Sequence, residues 1–173
     1  MGVDFRPYEL KDKFMFREGR VDRKMEGELK RKIRELSNEF KRNKIKMDKS
    51  DNKMLELAFF TAMEAINRGV STSSLRKMYN EIKNIKSETD RVKEGKSTWD
   101  DVIALINKAR FSLAYMAGRT KAGIIYDIMD EALRKATEVV EGNNDDEEKF
   151  RIIESLHFFA QAIIAFHKFL GGK

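Results

Sequence analysis

The sequence predicts an all-α protein, a compact bundle of five or six helices, and three observations predict it. Apolar residues recur at steps of three and four along most of the chain, the spacing of one helix face at 3.6 residues per turn. One Pro and ten Gly, the latter confined to few positions, leave little to interrupt a helix. Residues 150–170 are apolar in nearly every direction around a helix, with Ile153, Leu156, Phe159, Ile163, Phe166 and Leu170 on one side and Phe158, Ala162 and Phe169 on another. Such a helix belongs at the centre, surrounded by its neighbours.

Taken in order, residues 1–18 mix Phe5, Tyr8, Phe14, Met15 and Phe16 with charges at no clean period and read as an ordered or partner-bound arm. From 21 to about 47, Met25, Leu29, Ile33, Leu36 and Phe40 recur at helical steps among many charges. This stretch fits a solvated charged helix or a nucleic-acid arm. A further helix starts near Ser50, with Asp51 as its N-terminal anion, and runs to Gly69 with Leu55, Ala58, Phe59, Ala62 and Ile66 on a broad apolar face. The Ser/Thr cluster at 71–74 caps the next, whose stripe is Leu75, Met78, Ile82, Ile85 and Val92. On another side of it Arg76, Asn80, Lys83 and Ser87 form a polar row.

Gly95 and residues 97–100 make a turn and cap, and the helix they open runs to about Gly118, where it can bend or admit a neighbouring backbone. Its apolar stripe is Val102, Ile106, Ala109, Leu113 and Ala117, while Lys108, Ser112, Tyr115 and Arg119 repeat the spacing on a second side. Residues 120–141 carry Ile124, Ile128, Ala132 and Val139 among several acids and stop at Gly142 and Asn143. Residues 145–148 then place four carboxylates at the start of the last helix, where free amides and the positive dipole end stabilise them. The expected organisation is one domain, with residues 1–48 as a basic arm and charged helix and residues 49–173 as the bundle core.

Charge narrows the function classes. The net charge is +6; residues 1–50 hold 16 Lys/Arg against 10 Asp/Glu, 71–126 hold 11 against 6, and 127–148 hold 2 against 9. This separation suits one anion-facing side and one side for a basic neighbour. No Cys is present, which excludes disulfides and thiolate metal sites. The N-terminus lacks a secretory apolar run, and the most apolar segment is broken by Glu154, His157, Gln161, His167 and Lys168, so no membrane span and a cytoplasmic location are expected. The ionic surface, missing Cys and single Gln would suit a thermophile.

Catalytic patterns are missing. There is no phosphate loop, nucleophile elbow or His-Glu-x-x-His. Glu154-Ser-Leu-His157 matches one arm of a di-iron site, but a second arm is lacking, since His167 has no Glu three residues before it. No enzyme, cofactor or metal is expected. Phosphate binding without catalysis fits better, because Arg and Lys attract the backbone, Ser and Asn bond phosphate oxygens or ribose hydroxyls, and Tyr stacks. Both polar rows contain this mixture, although any helix shows charges opposite its core stripe and spacing alone leaves both readings open.

Three segments carry a resemblance: TSSLRKMYNEI at 72–82, FSLAYMAGR at 111–119 and FFAQAIIAFHKFLGGK at 158–173. Together, in this order, they resemble the small-subunit family of type III-A CRISPR effector (Csm) complexes. The resemblance implies a helical, non-enzymatic subunit. It would be stacked in several copies along a guide-RNA filament beside the other subunits, its basic face on the target RNA as it pairs with the guide. By motif, Arg76 with Lys77 and Arg119 with Lys121 become candidate RNA contacts; Lys83 and Lys108 join them as members of the same rows. Phe166 and Phe169 stand where the family usually has Tyr, and the first 48 or so residues match none of its motifs. The competing expectation is a helical protein-protein adaptor that uses the acidic 127–148 region and never meets nucleic acid.

Overall fold

A computed structural model describes residues 4–173, and its core is built around the last helix. Seven helices are present among the described residues: α1 (Pro7–Phe14), α2 (Glu26–Lys41), α3 (Asn52–Asn67), α4 (Thr72–Lys93), α5 (Trp99–Arg119), α6 (Gly123–Gly142) and α7 (Asp146–Phe169). A two-stranded antiparallel hairpin, β1 (Met15–Arg17) and β2 (Arg20–Val21), separates α1 from a single 3-10 turn at Arg23–Met25. The all-α class holds, but the expected count of five or six is low by at least one. The extra helix is the eight-residue α1, too short for its pattern to register, with only Phe14 fully buried.

Four of the seven helix starts are fixed by side chains that accept bonds from otherwise orphaned amides. Asp51 caps α3 through the Lys53 amide, Ser71 caps α4 through Ser74, and Asp145 caps α7 through Glu147. Thr98 and Asp101 close a reciprocal capping box on α5. The stretch expected as one helix from 21 to 47 is shorter in fact. Asp22 caps the 3-10 turn, and Asn43, with φ 59°, turns the chain out of α2 in a left-handed conformation that Asn tolerates.

Packing then sets the layers. α7 lies against α3, α4 and α6; α5 bridges α4 and α6; α2 covers α3. The core is continuous from Phe14 and Leu29 through Phe59 and Phe60 to Phe159 and Leu170, so residues 14–47 share it. The arm is fastened as well as buried. Phe5 meets Phe59 and Phe166 edge-on, and the Gly19 amide donates to the Leu170 carbonyl at 2.8 Å.

Helix α5 sits at the periphery of the bundle. Only Val102, Ile106, Ala109 and Leu113 of its residues are fully buried. Its outer sides therefore face away from the core, and Phe111 (83% exposed) and Tyr115 (63%) stand out among the large apolar side chains. No helix among the described residues is long and apolar enough to cross a membrane.

Candidate nucleic-acid interface

The short α4–α5 connection folds the two helices back on one another, and the α5 polar row meets a face of α4 that adjoins its own row and shares only Asn80 with it. Ser74, Lys77 and Asn80 of α4 and Ser112, Tyr115 and Arg119 of α5 line one open groove of about 540 Å³. Met116 and Tyr126 form its apolar floor, and Glu81 and Thr120 complete the rim. Two cations thus face a single carboxylate across a surface rich in hydroxyl and amide donors. Such a surface suits the sugar-phosphate backbone better than a cationic ligand.

Arg119 is held in place. Its Nη1 donates to the Tyr115 hydroxyl at 2.9 Å while the guanidinium lies 5.4 Å from that ring's centroid. Tyr115 is one turn back on the same helix, so the i, i+4 spacing itself makes the pair. The arrangement fixes one edge of the guanidinium and leaves its remaining donors open.

All six expected contacts, Arg76, Lys77, Lys83, Lys108, Arg119 and Lys121, are exposed. None of them makes an ion pair within 4.0 Å among the described residues, although 17 of the 35 Lys and Arg do. The groove brings together only Lys77 and Arg119 of the six. Arg76 and Lys83 lie further round α4, Lys108 lies one turn before Ser112 on the α5 row, and Lys121 sits in the turn before α6. Sequence rows identify a face of one helix; which faces of two helices meet depends on their packing. For that reason the sequence gives no sign of Ser74, Met116, Thr120 and Tyr126 as groove residues.

The acidic region behaves differently from an open face. Asp127 pairs with Lys41 at 2.6 Å, Asp130 takes both Nε and Nη2 of Arg110, and Glu131 and Glu138 hold Arg134. Asp146 accepts from the Trp99 indole at 2.9 Å, and Glu148 pairs with Arg151. Six of its nine acids are therefore ion-paired within the chain. Arg110 and Asp130 also tie α5 to α6, and that bond raises the Arg110 pKa further above its already high value.

The two members of the Glu-x-x-His match are used separately. Glu154 lies 3.5 Å from Lys49 and 3.9 Å from Lys93, and His157 Nε2 is 3.1 Å from the Tyr79 hydroxyl. Burial, helped by nearby Lys86 and Lys83, pushes the His157 pKa down despite the opposing pull of Asp90. His167 is buried between the Val70 carbonyl (3.1 Å) and the Thr72 hydroxyl (3.3 Å).

A family model described as Csm2 Type III-A matches residues 48–173, the span that holds α3 to α7 and both polar rows. No curated protein and no solved structure matches the chain.

Proposed function

Because the chain belongs to the Csm2 type III-A family, a family of subunits of type III-A CRISPR effector complexes, we propose that it is the non-catalytic small subunit that holds the RNA backbone there. The carrying observation is that Lys77 and Arg119 line one open groove, with Glu81 its single carboxylate and no acid of the described residues within ion-pair distance of either cation. Backbone recognition needs positive charge, hydroxyl or amide donors and no base-reading shape, and this seam supplies all three. The partner is the target RNA as it pairs with the guide RNA; the remaining subunits and further copies of the chain flank it. Arg76, Lys83, Lys108 and Lys121 extend positive potential on either side of the groove and contribute to attraction more than to fixed contacts.

The adaptor alternative draws its support from the acidic 127–148 region, most of whose charge is already paired inside the protein. Exchange of Lys77 and Arg119 for Glu tests the reading in reconstituted complexes. The double variant is expected to assemble and keep its helical circular dichroism while its complexes hold target RNA at least about tenfold more weakly, with a shallower salt dependence. Unchanged RNA binding by that folded variant would refute the groove assignment.

A further inference from the structure

The hairpin that precedes α2 lies outside the family-matched span, yet it carries chemistry of its own. Residues 15–34 hold eight Lys/Arg against four Asp/Glu. Arg17, Arg20, Arg23 and Lys24 are exposed, and none has an acid of the chain within ion-pair distance among the described residues. Of the nearby carboxylates, Glu18 approaches Lys11 at 3.8 Å, Glu28 pairs with Lys13 at 2.6 Å, and Asp22 accepts from the Lys24 amide. Next to Arg17 on the same strand, Phe16 stands 68% exposed.

An exposed Phe on a loose tail would mean little, but this one has a rigid mount. Phe14 and Val21, on either side of the hairpin, are buried in the core. The Asp22 amide donates to the Phe14 carbonyl, and the Gly19 amide donates to the Leu170 carbonyl, both at 2.8 Å. A ring held out by such a mount loses little freedom when a flat partner stacks on it. Position matters too: Arg17 and Arg20 line a groove of about 650 Å³ with Ser71, at the start of the helix that carries Arg76 and Lys77. The hairpin thus places two further cations, with Glu18 between them in sequence, beside the α4 N-terminus.

From this juxtaposition we propose that the hairpin is a second contact for single-stranded RNA, with Phe16 stacking on an unpaired base and Arg17 and Arg20 binding the flanking phosphates. An exposed aromatic ring among unpaired cations is the combination that sequence-tolerant single-strand binding uses, since every base offers a π-face and every linkage a charge. The inference does not depend on the Lys77–Arg119 groove. A duplex backbone in that groove and an unpaired nucleotide at the hairpin are separate contacts.

The test uses the full chain and fluorescein-labelled oligouridine, read by anisotropy across a salt series. Phe16→Ala and Phe16→Leu are expected to weaken binding roughly tenfold or more, whereas Phe16→Trp, which still stacks, retains it. Arg17→Ala with Arg20→Ala should make the logarithmic salt slope shallower by about 1.4. Circular dichroism verifies that each variant is folded, and Lys77→Glu with Arg119→Glu, measured alongside, should leave the effect of Phe16→Ala unchanged even if the groove assignment fails. Two results would overturn the proposal: no binding of oligouridine by the unaltered chain at low salt, or equal binding by the Leu and Phe forms.

Discussion

Arg119 rests against the ring of Tyr115 and donates to its hydroxyl at 2.9 Å, so that one of the two groove cations is oriented before any ligand arrives. Tyr115→Phe removes the hydrogen bond and leaves the ring. It is expected to weaken RNA binding by about 1 kcal/mol, and Tyr115→Ala by more, since the stacking is lost as well. Both should leave the thermal midpoint nearly unchanged because Tyr115 is largely exposed. Binding isotherms on reconstituted complexes, beside thermal melts of the free chain, check the pair.

Electrostatic attraction by the outlying cations has a different signature. Lys83→Ala and Lys108→Ala, which lie outside the groove lining, should lower the association rate with RNA at low salt and lose that effect as ionic strength rises. Lys77→Ala should instead remove about one phosphate contact and make the salt slope shallower by 0.7 to 0.9, roughly. Stopped-flow rates and equilibrium titrations at several salt concentrations separate the two classes.

The arm is part of the fold, and Gly19 tests how firmly. Its φ is +72°, and a Cβ there would stand 2.6 Å from the Gly171 carbonyl oxygen. Gly19→Ala is therefore expected to cost about 1–3 kcal/mol of stability, through both backbone strain and that clash. Gly118→Ala, where a Cβ would meet nothing within 4 Å, should be neutral or slightly stabilising. Urea titration of the two variants gives the comparison.

Stability should fall between pH 7 and pH 5. The chain has two histidines, and burial depresses the pKa of both below the usual 6.5. A depressed folded pKa means that the unfolded chain takes up protons first as pH drops. The stability these groups contribute is full above about 6.5 and is lost as pH falls through the folded values. Shifted carboxylates such as Asp48 and Asp101, whose pKa values are lowered by bonds from Ser50 and Thr98, act at lower pH. Denaturation midpoints across this window check the effect, and His167→Gln should flatten the curve.

Much of the bundle was legible because its helices announce themselves locally. Asp51, Ser71, Thr98 and Asp145 are capping residues just ahead of periodic stripes, and each does cap. α1 and the hairpin were not legible, because what orders them is distant in sequence: Phe59 and Phe166 against Phe5, Leu170 against Gly19. The same division runs through the candidate interface. The α5 row could be read from Lys108, Ser112, Tyr115 and Arg119, but the meeting of Arg119 with Lys77 rests on how α4 packs against α5. The acidic 127–148 stretch shows the reverse failure. A count of charges marks it as a partner surface, whereas Lys41, Arg110, Arg134, Lys149 and Arg151 of the same chain pair with six of its nine acids.

Ultraviolet crosslinking of a reconstituted complex carrying guide and target RNA, followed by peptide mapping, tests whether the α4–α5 seam lies on RNA. RNA adducts are expected on the α5 peptide that holds Tyr115 and on the α4 peptide beginning at Thr72. Crosslinks from these peptides to protein subunits alone would refute RNA binding at the seam and favour an adaptor that never touches nucleic acid.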